Sequence, residues 1–311
     1  MEEASHGILP QKCSPSSTKI CCMESVKTCP PLPPSAVSQR KTGSKAHDYC
    51  VDLREKLYPC QQSGSSWSRG NLCGPVPERH NPQYLVVPIT KASPSEIQRF
   101  GFAANGMGAS VYLVSERWLL TRASEWNDLL RESAQDITPP PEVIFSFRRT
   151  VPHPHYVPGN NTHVIETNDV LLVEMDRPVL FSRSYRPVCL HTAQDSLGAG
   201  GLALTKWWGG SRFPATLLTP EECTRNFPPG SRGAAGGVTD SHLCVTSSSS
   251  GTFCGNYWNY LTASNGHRVS GGCTQLLVGL YLDDKREGSV CTELYLRVSS
   301  YIPWVESVVW P

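Results

Sequence analysis

Strong charge of either sign is missing from this chain: 28 Lys and Arg against 27 Asp and Glu leave 311 residues at a formal net charge of +1. Without a basic excess there is no electrostatic footprint for nucleic acid. Charged residues make up only 18% and apolar residues only 39%. No apolar run approaches the roughly 18 residues that a membrane span needs. The opening MEEASHGILPQ has neither a basic nor an apolar leader region, so no signal peptide is read there. No Cys-x-x-Cys pair occurs, which counts against zinc, and Asp283-Asp284 alone is too few carboxylates for a calcium loop. No cofactor, metal or small-molecule substrate is expected.

What the chain has in quantity is cysteine, at 13, together with 25 Gly and 26 Pro. Gly and Pro at this level favour turns and short strands over bundles. So many cysteines suit an oxidising compartment, which points to a secreted protein or one in the secretory lumen. An intracellular protein with scattered buried thiols is the competing reading. An odd count leaves at least one thiol without an internal partner. The sequon Asn160-Asn161-Thr162 lies in a polar stretch, so Asn160 is a glycosylation candidate if the chain is secreted.

Two parts differ in texture. Residues 1–72 are rich in Pro and Ser, show little apolar periodicity and hold Cys13, Cys21, Cys22, Cys29, Cys50 and Cys60. So polar a segment cannot fold on hydrophobicity alone. It is read as partly disordered, with up to three disulfide staples. Residues 73–311 carry short runs bounded by Gly, Pro, Ser or Asn: Tyr84-Leu-Val-Val, Ser110-Val-Tyr-Leu-Val, Trp118-Leu-Leu-Thr, Val143-Ile-Phe-Ser-Phe, Asp169-Val-Leu-Leu-Val, Leu202-Ala-Leu-Thr, Leu276-Leu-Val-Gly-Leu-Tyr-Leu and Glu293-Leu-Tyr-Leu-Arg-Val. These read as the strands of an all-β sandwich or barrel. Apolar residues at 298, 301, 302, 305, 308 and 309 make one helical face, with Pro303 near the first turn.

Several segments, in order, resemble the trypsin-like (chymotrypsin-fold) serine proteases. Trp118-Leu-Leu-Thr-Arg-Ala-Ser-Glu is similar to the W-V-L-T-A-A-H-C strand, Val151-Pro-His-Pro-His-Tyr to V-x-H-P-x-Y, and Asn168-Asp-Val-Leu-Leu-Val-Glu-Met to N-D-I-A-L-L-x-L. Tyr185-Arg-Pro-Val-Cys-Leu, Gly279-Leu-Tyr-Leu and Val298-Ser-Ser-Tyr-Ile-Pro-Trp-Val match the remaining landmarks. The resemblance implies two six-stranded antiparallel β-barrels and a C-terminal helix.

Triad chemistry needs a hydroxyl nucleophile, an imidazole to take its proton and a carboxylate to orient the imidazole. Position by position, the resemblance places the carboxylate at Asp169, the histidine position at Ser124 and the nucleophile position at Trp258. Serine is no base near neutral pH, and indole offers no nucleophilic oxygen. Such losses remove about four or more orders of magnitude of rate. Asn256 stands where the oxyanion-hole glycine is expected, and Tyr257 replaces the carboxylate that receives a new N-terminus. His153, His155, His163, His242 and His267 read as loop histidines, and Ser247 to Ser250 as a polar turn.

The resemblance also implies the disulfides Cys223–Cys244, Cys254–Cys291 and Cys73–Cys189. Cys273 is left alone because its expected partner position is Leu202. The bridge beside the histidine position would need cysteines at Ala109 and Glu125, and lacks both. The pocket floor, near Thr252-Phe253, has no acidic residue. Tyr257, Trp258 and Tyr260 either plug the old cleft or offer an aromatic binding surface. The expected function is therefore that of an inactive homologue acting through protein–protein contacts. A structural part of a larger assembly, or an enzyme with a displaced site, are the alternatives.

Overall fold

The computed structural model describes residues 29–31, 41–63, 66–72, 89–92, 97–99, 111–132, 145–159, 167–181, 186–192, 197, 203–208, 211–248, 260–264 and 276–311. The strand expected at Tyr84 lies outside them, as do residues 1–28, 32–40 and 64–65 of the N-terminal segment read as partly disordered.

Two sheets form the body. The first comprises β3 (Ile89–Ala92), β4 (Ile97–Arg99), β5 (Tyr112–Leu113), β6 (Trp118–Thr121), β7 (Phe145–Pro152) and β8 (Leu171–Met175), in the order β4-β3-β7-β8-β6-β5. β6 is buried at all four positions and β8 at four of five. That is why both read as largely apolar runs rather than alternating ones. The exception in β8, Glu174, turns its carboxylate out to Arg149, 2.6 Å away.

The second sheet comprises β9 (Cys189–Leu190), β10 (Ala203–Trp208), β11 (Ser211–Leu217), β12 (His242–Ser248), β13 (Tyr260–Ser264), β14 (Leu276–Glu287) and β15 (Val290–Arg297). Its order is β13-β10-β11-β12-β15-β14-β9, and β13 also pairs with β14. Six strands therefore close on themselves, which removes their free edges. Gly279 in β14 sits where an added Cβ would come 2.9 Å from the Tyr295 Cβ, so the close approach of β14 to β15 requires glycine.

The expected chymotrypsin-type body of two β-sheets and a C-terminal helix is present, with two parallel pairings besides the antiparallel ones. The second sheet has a seventh strand, since two-residue β9 joins β14 in parallel. In the first sheet β3 pairs with β7 in parallel as well. Ser247 and Ser248 lie in β12 paired with β15, not in a turn, and Ser247 is buried.

One buried cluster joins the two sheets to the C-terminus: Tyr112, Leu120 and Leu172 from the first, Leu277, Leu280 and Leu294 from the second, and Ile302, Val305 and Val309 from helix α4 (Ile302–Val309). Helix α2 (Ala123–Glu132) follows β6 and packs Trp126 edge-on to Phe147. Helix α3 (Pro220–Asn226) starts at a capping box in which Thr219 and Glu222 satisfy each other's backbone N–H groups.

Helix α1 (Lys45–Lys56) is the main addition to the sequence reading. It straps the body. Leu53 and Leu57 are fully buried against Cys189, Phe181 and Leu276. The Glu306 carboxylate of α4 accepts from the Ser44 hydroxyl (2.6 Å) and the Ala46 N–H (2.9 Å). Tyr49 donates to Glu116 and stacks on Trp310. After α1 comes an exposed hairpin, β1 (Cys60–Ser63) with β2 (Ser66–Arg69).

The disulfides correct one expectation. Cys189 is bonded to Cys50, Cα–Cα 5.4 Å, and so is not bonded to Cys73. The physical reason is α1: burying Leu53 and Leu57 sets Cys50 against β9, and a sulfur joins only one bridge. Cys223–Cys244 forms as expected. Cys29–Cys60 staples the N-terminal segment, whose pairing was open. Cys291 is disulfide-bonded; Cys254, its expected partner, lies outside the described residues, as do Cys73, Cys273 and Leu202.

Candidate active site

The end of β6 and the approach to β8 lie side by side, because these strands pair antiparallel with Thr121 opposite Leu171. That register brings Ser124 at the start of α2 to Asp169, two residues before β8. Asn168 holds the bend before Asp169 with φ 48°, a left-handed conformation that Asn tolerates. Its side chain donates to the His155 carbonyl (3.1 Å).

Asp169 is 1% exposed, so its carboxylate needs partners. Oδ1 accepts the Ser124 N–H at 2.8 Å. Oδ2 accepts the Ser124 hydroxyl at 2.5 Å and Arg122 Nε at 2.9 Å. Arg122 is itself buried. Its Nη2 donates to Ser124 Oγ (3.1 Å) and its Nη1 to Glu125 Oε1 (3.0 Å). One guanidinium thus spans two buried carboxylates and the serine between them. Arg suits this place because its planar fork stays charged and bonds several acceptors at once. Chemically the cluster offers an oriented hydroxyl, but the carboxylate it donates to is already shared with a cation. No imidazole takes part in the described contacts.

The structure thus brings together two of the three expected positions, Ser124 and Asp169. Trp258 lies outside the described residues, with Asn256, Tyr257, Thr252 and Phe253; so do Asn160, His163, His267 and Ala109. The described histidines are engaged elsewhere. The His153 ring packs edge-on against Tyr301 (5.3 Å) and Trp304 (5.1 Å), and burial followed by the nearby His155 pulls it below its ordinary value. His242 donates from Nε2 to the Gly233 carbonyl (2.9 Å) and accepts the Thr239 N–H at Nδ1, and burial holds it below the ordinary 6.5.

Two functional residues escaped sequence reasoning. Arg122 is the first. The available signal was a charged residue directly after the largely apolar run Trp118-Leu-Leu-Thr, where only a buried partner makes a cation tolerable. Glu125 is the second; it was read only as an absent cysteine.

A strand-built body with this helix, a buried aspartate at the head of β8 and these bridges define the chymotrypsin type of serine protease fold. Residues 99–305 match the family Trypsin, and the chain belongs to that family. It is 25% identical over 219 residues to mouse (Mus musculus) kallikrein-11, covering 63% of this chain and 71% of that protein. To human (Homo sapiens) cathepsin G it is 27% identical over 224 residues, covering 64% and 75%. Among solved structures, kallikrein-related peptidase 10 superposes with a TM-score of 0.46 at 20% identity, over 67% of this chain and 92% of that one.

Proposed function

We propose that this trypsin-family chain is a non-catalytic homologue that acts by binding another protein, as an adaptor, cofactor or decoy. One observation carries the reading. Where the family pattern calls for an imidazole on Asp169, the Arg122 guanidinium and the Ser124 hydroxyl hold Oδ2 instead. A base needs a free lone pair; a guanidinium has none near neutral pH. Trp258 at the nucleophile position supports the same conclusion from sequence. In this reading residues 73–311 are the protease-like part, residues 1–72 precede it, and the bridges belong to an extracellular or lumenal setting. Asn160 is then a site for N-linked glycan.

The test is chemical. The purified protein, incubated with a fluorophosphonate probe and with a panel of peptide amide substrates, is expected to take no label and to release no product. Stoichiometric labelling of any serine would overturn the reading. Substituting Trp258→Ala and comparing captured partners then tells whether the former cleft is the contact surface.

A further inference from the structure

The seat of α1 contains a group that does not fit it. Arg186 lies three residues before Cys189, near Tyr58 just past the end of the helix, and is 4% exposed. Its Nε and Nη1 are buried and, among the described residues, have no hydrogen-bond partner. Burial pushes the guanidinium below the usual arginine range, and among the described residues only the Tyr58 phenol opposes that effect. A buried cation with unmet donors disfavours the closed arrangement, because opening returns it to water.

Other contacts favour closure. Leu53 and Leu57 bury fully, and Glu306 holds the first turn. The remaining polar contacts, Tyr49 and Lys56 to Glu116 and Lys45 to the Trp310 carbonyl, are half-buried or exposed. Exposed pairs of this kind hold weakly. The covalent link Cys50–Cys189 is therefore the contact that decides the balance, joining residues 139 apart.

We infer that α1 is a redox-released strap: the Cys50–Cys189 bridge keeps it closed over Arg186, and reducing that bridge frees the helix and delivers Arg186 to solvent. Cys50 is half-buried whereas Cys189 is buried, so a dithiol reductant attacks the more accessible Cys50 sulfur. The S–S bond breaks, Cys189 leaves as thiolate and takes a proton, and a mixed disulfide remains on Cys50. The reductant's second thiol attacks its own sulfur in that mixed disulfide. Cys50 leaves as a second thiol, and the reductant closes to a cyclic disulfide. Two electrons pass to the protein and two protons accompany them. The inference stands whether or not the site at Asp169 is catalytic.

The test uses the full oxidised chain, the variant Cys50→Ser/Cys189→Ser, and that variant carrying Arg186→Met in addition. Amide exchange is followed over residues 45–56 and over β12 and β15. Arginine modification by phenylglyoxal is followed at Arg186, with exposed Arg148 as the internal reference. In the bridge-less variant, exchange over 45–56 and modification of Arg186 are each expected to rise at least tenfold, with β12, β15 and Arg148 unchanged. Adding Arg186→Met is expected to slow exchange over 45–56 again, by roughly tenfold, since the misfitting charge is gone. Graded treatment of the wild-type protein with dithiothreitol should release Cys50 and Cys189 together with the rise at Arg186. Equal protection with and without the bridge would overturn the inference. So would faster exchange throughout the body, or an Arg186→Met effect that loosens the helix further.

Discussion

Replacing Arg122 with methionine keeps the aliphatic stem and removes the charge, which isolates what the guanidinium does. It contributes a 2.9 Å bond to Asp169 and a 3.0 Å bond to Glu125, and both acids are at least nine-tenths buried. Asp169 would keep only the two donors of Ser124. Breaking a buried pair from one side costs about 3–5 kcal/mol, because the remaining charge stays out of water. At 2–4 °C per kcal/mol for a body of this size, the expected fall in Tm is roughly 6–20 °C. Urea unfolding followed by tryptophan fluorescence, with disulfides intact, measures the free energy. The double variant Arg122→Met/Asp169→Asn supplies the control: it removes both charges and should recover about 1–3 kcal/mol of the sum of the single costs. A single-variant cost under about 1 kcal/mol, or strict additivity, would refute the idea that Arg122 is the counter-charge of Asp169.

Four further outcomes follow from the same geometry. Restoring two triad positions by Ser124→His/Trp258→Ser should give no fluorophosphonate labelling while Arg122 holds Asp169; labelling of that double variant would show that Arg122 yields its place. Non-reducing peptide mapping should recover Cys29–Cys60, Cys50–Cys189, Cys223–Cys244 and Cys254–Cys291, whereas a Cys73–Cys189 peptide would contradict the position of α1. Gly279→Ala should destabilise by about 1–3 kcal/mol through overpacking against Tyr295, read from the urea midpoint. Because burial depresses His242 below 6.5, the unfolded chain takes up its proton first. Stability from this residue is thus complete above pH 6.5 and falls as pH drops below it, and His242→Gln should flatten the urea midpoint between pH 7.5 and 5.5.

The strands of the body were legible because β6, β8, β14 and β15 carry apolar runs with clear punctuation, and packing between two sheets rewards such runs. The terminal helix was legible for a similar reason: positions 298 to 309 repeat at helical spacing. Helix α1 was not. Its core-facing residues, Ala46, Tyr49, Cys50 and Leu53, with Leu57 at its end, do repeat at helical spacing but stand among Lys, Asp, Glu and Arg. That period names none of its remote partners, Glu306, Glu116 and Cys189. The same limit produced the wrong partner for Cys189, since resemblance pointed to Cys73 while α1 brought in Cys50. Helix α3 could have been read: Thr219-Pro220-Glu221-Glu222 is a capping box with proline at the first helical position.

At the site, the sequence showed which groups were gone but not what replaced them. Resemblance marked the histidine position as Ser124 and the adjoining cysteine position as Glu125, two losses treated as separate. The geometry makes them one rearrangement. Asp169 stays buried, so once an imidazole is absent another donor must meet its Oδ2, and Arg122 is the residue whose reach allows it. A guanidinium with donors to spare then needs acceptors, and Glu125 provides one at 3.0 Å from the place where a disulfide would otherwise stand. The two contacts should not weigh equally. Glu125→Ala leaves Arg122 bonded to Asp169 and Ser124, so its cost is expected at about 1–3 kcal/mol, the range for one charged hydrogen bond. That is below the cost of losing the guanidinium, which both carboxylates share. If urea unfolding instead gave Glu125→Ala a larger cost than Arg122→Met, the cluster would be organised around Glu125. The Arg122–Asp169 bond would then contribute little, and Arg122 would not be what fills the place of the imidazole.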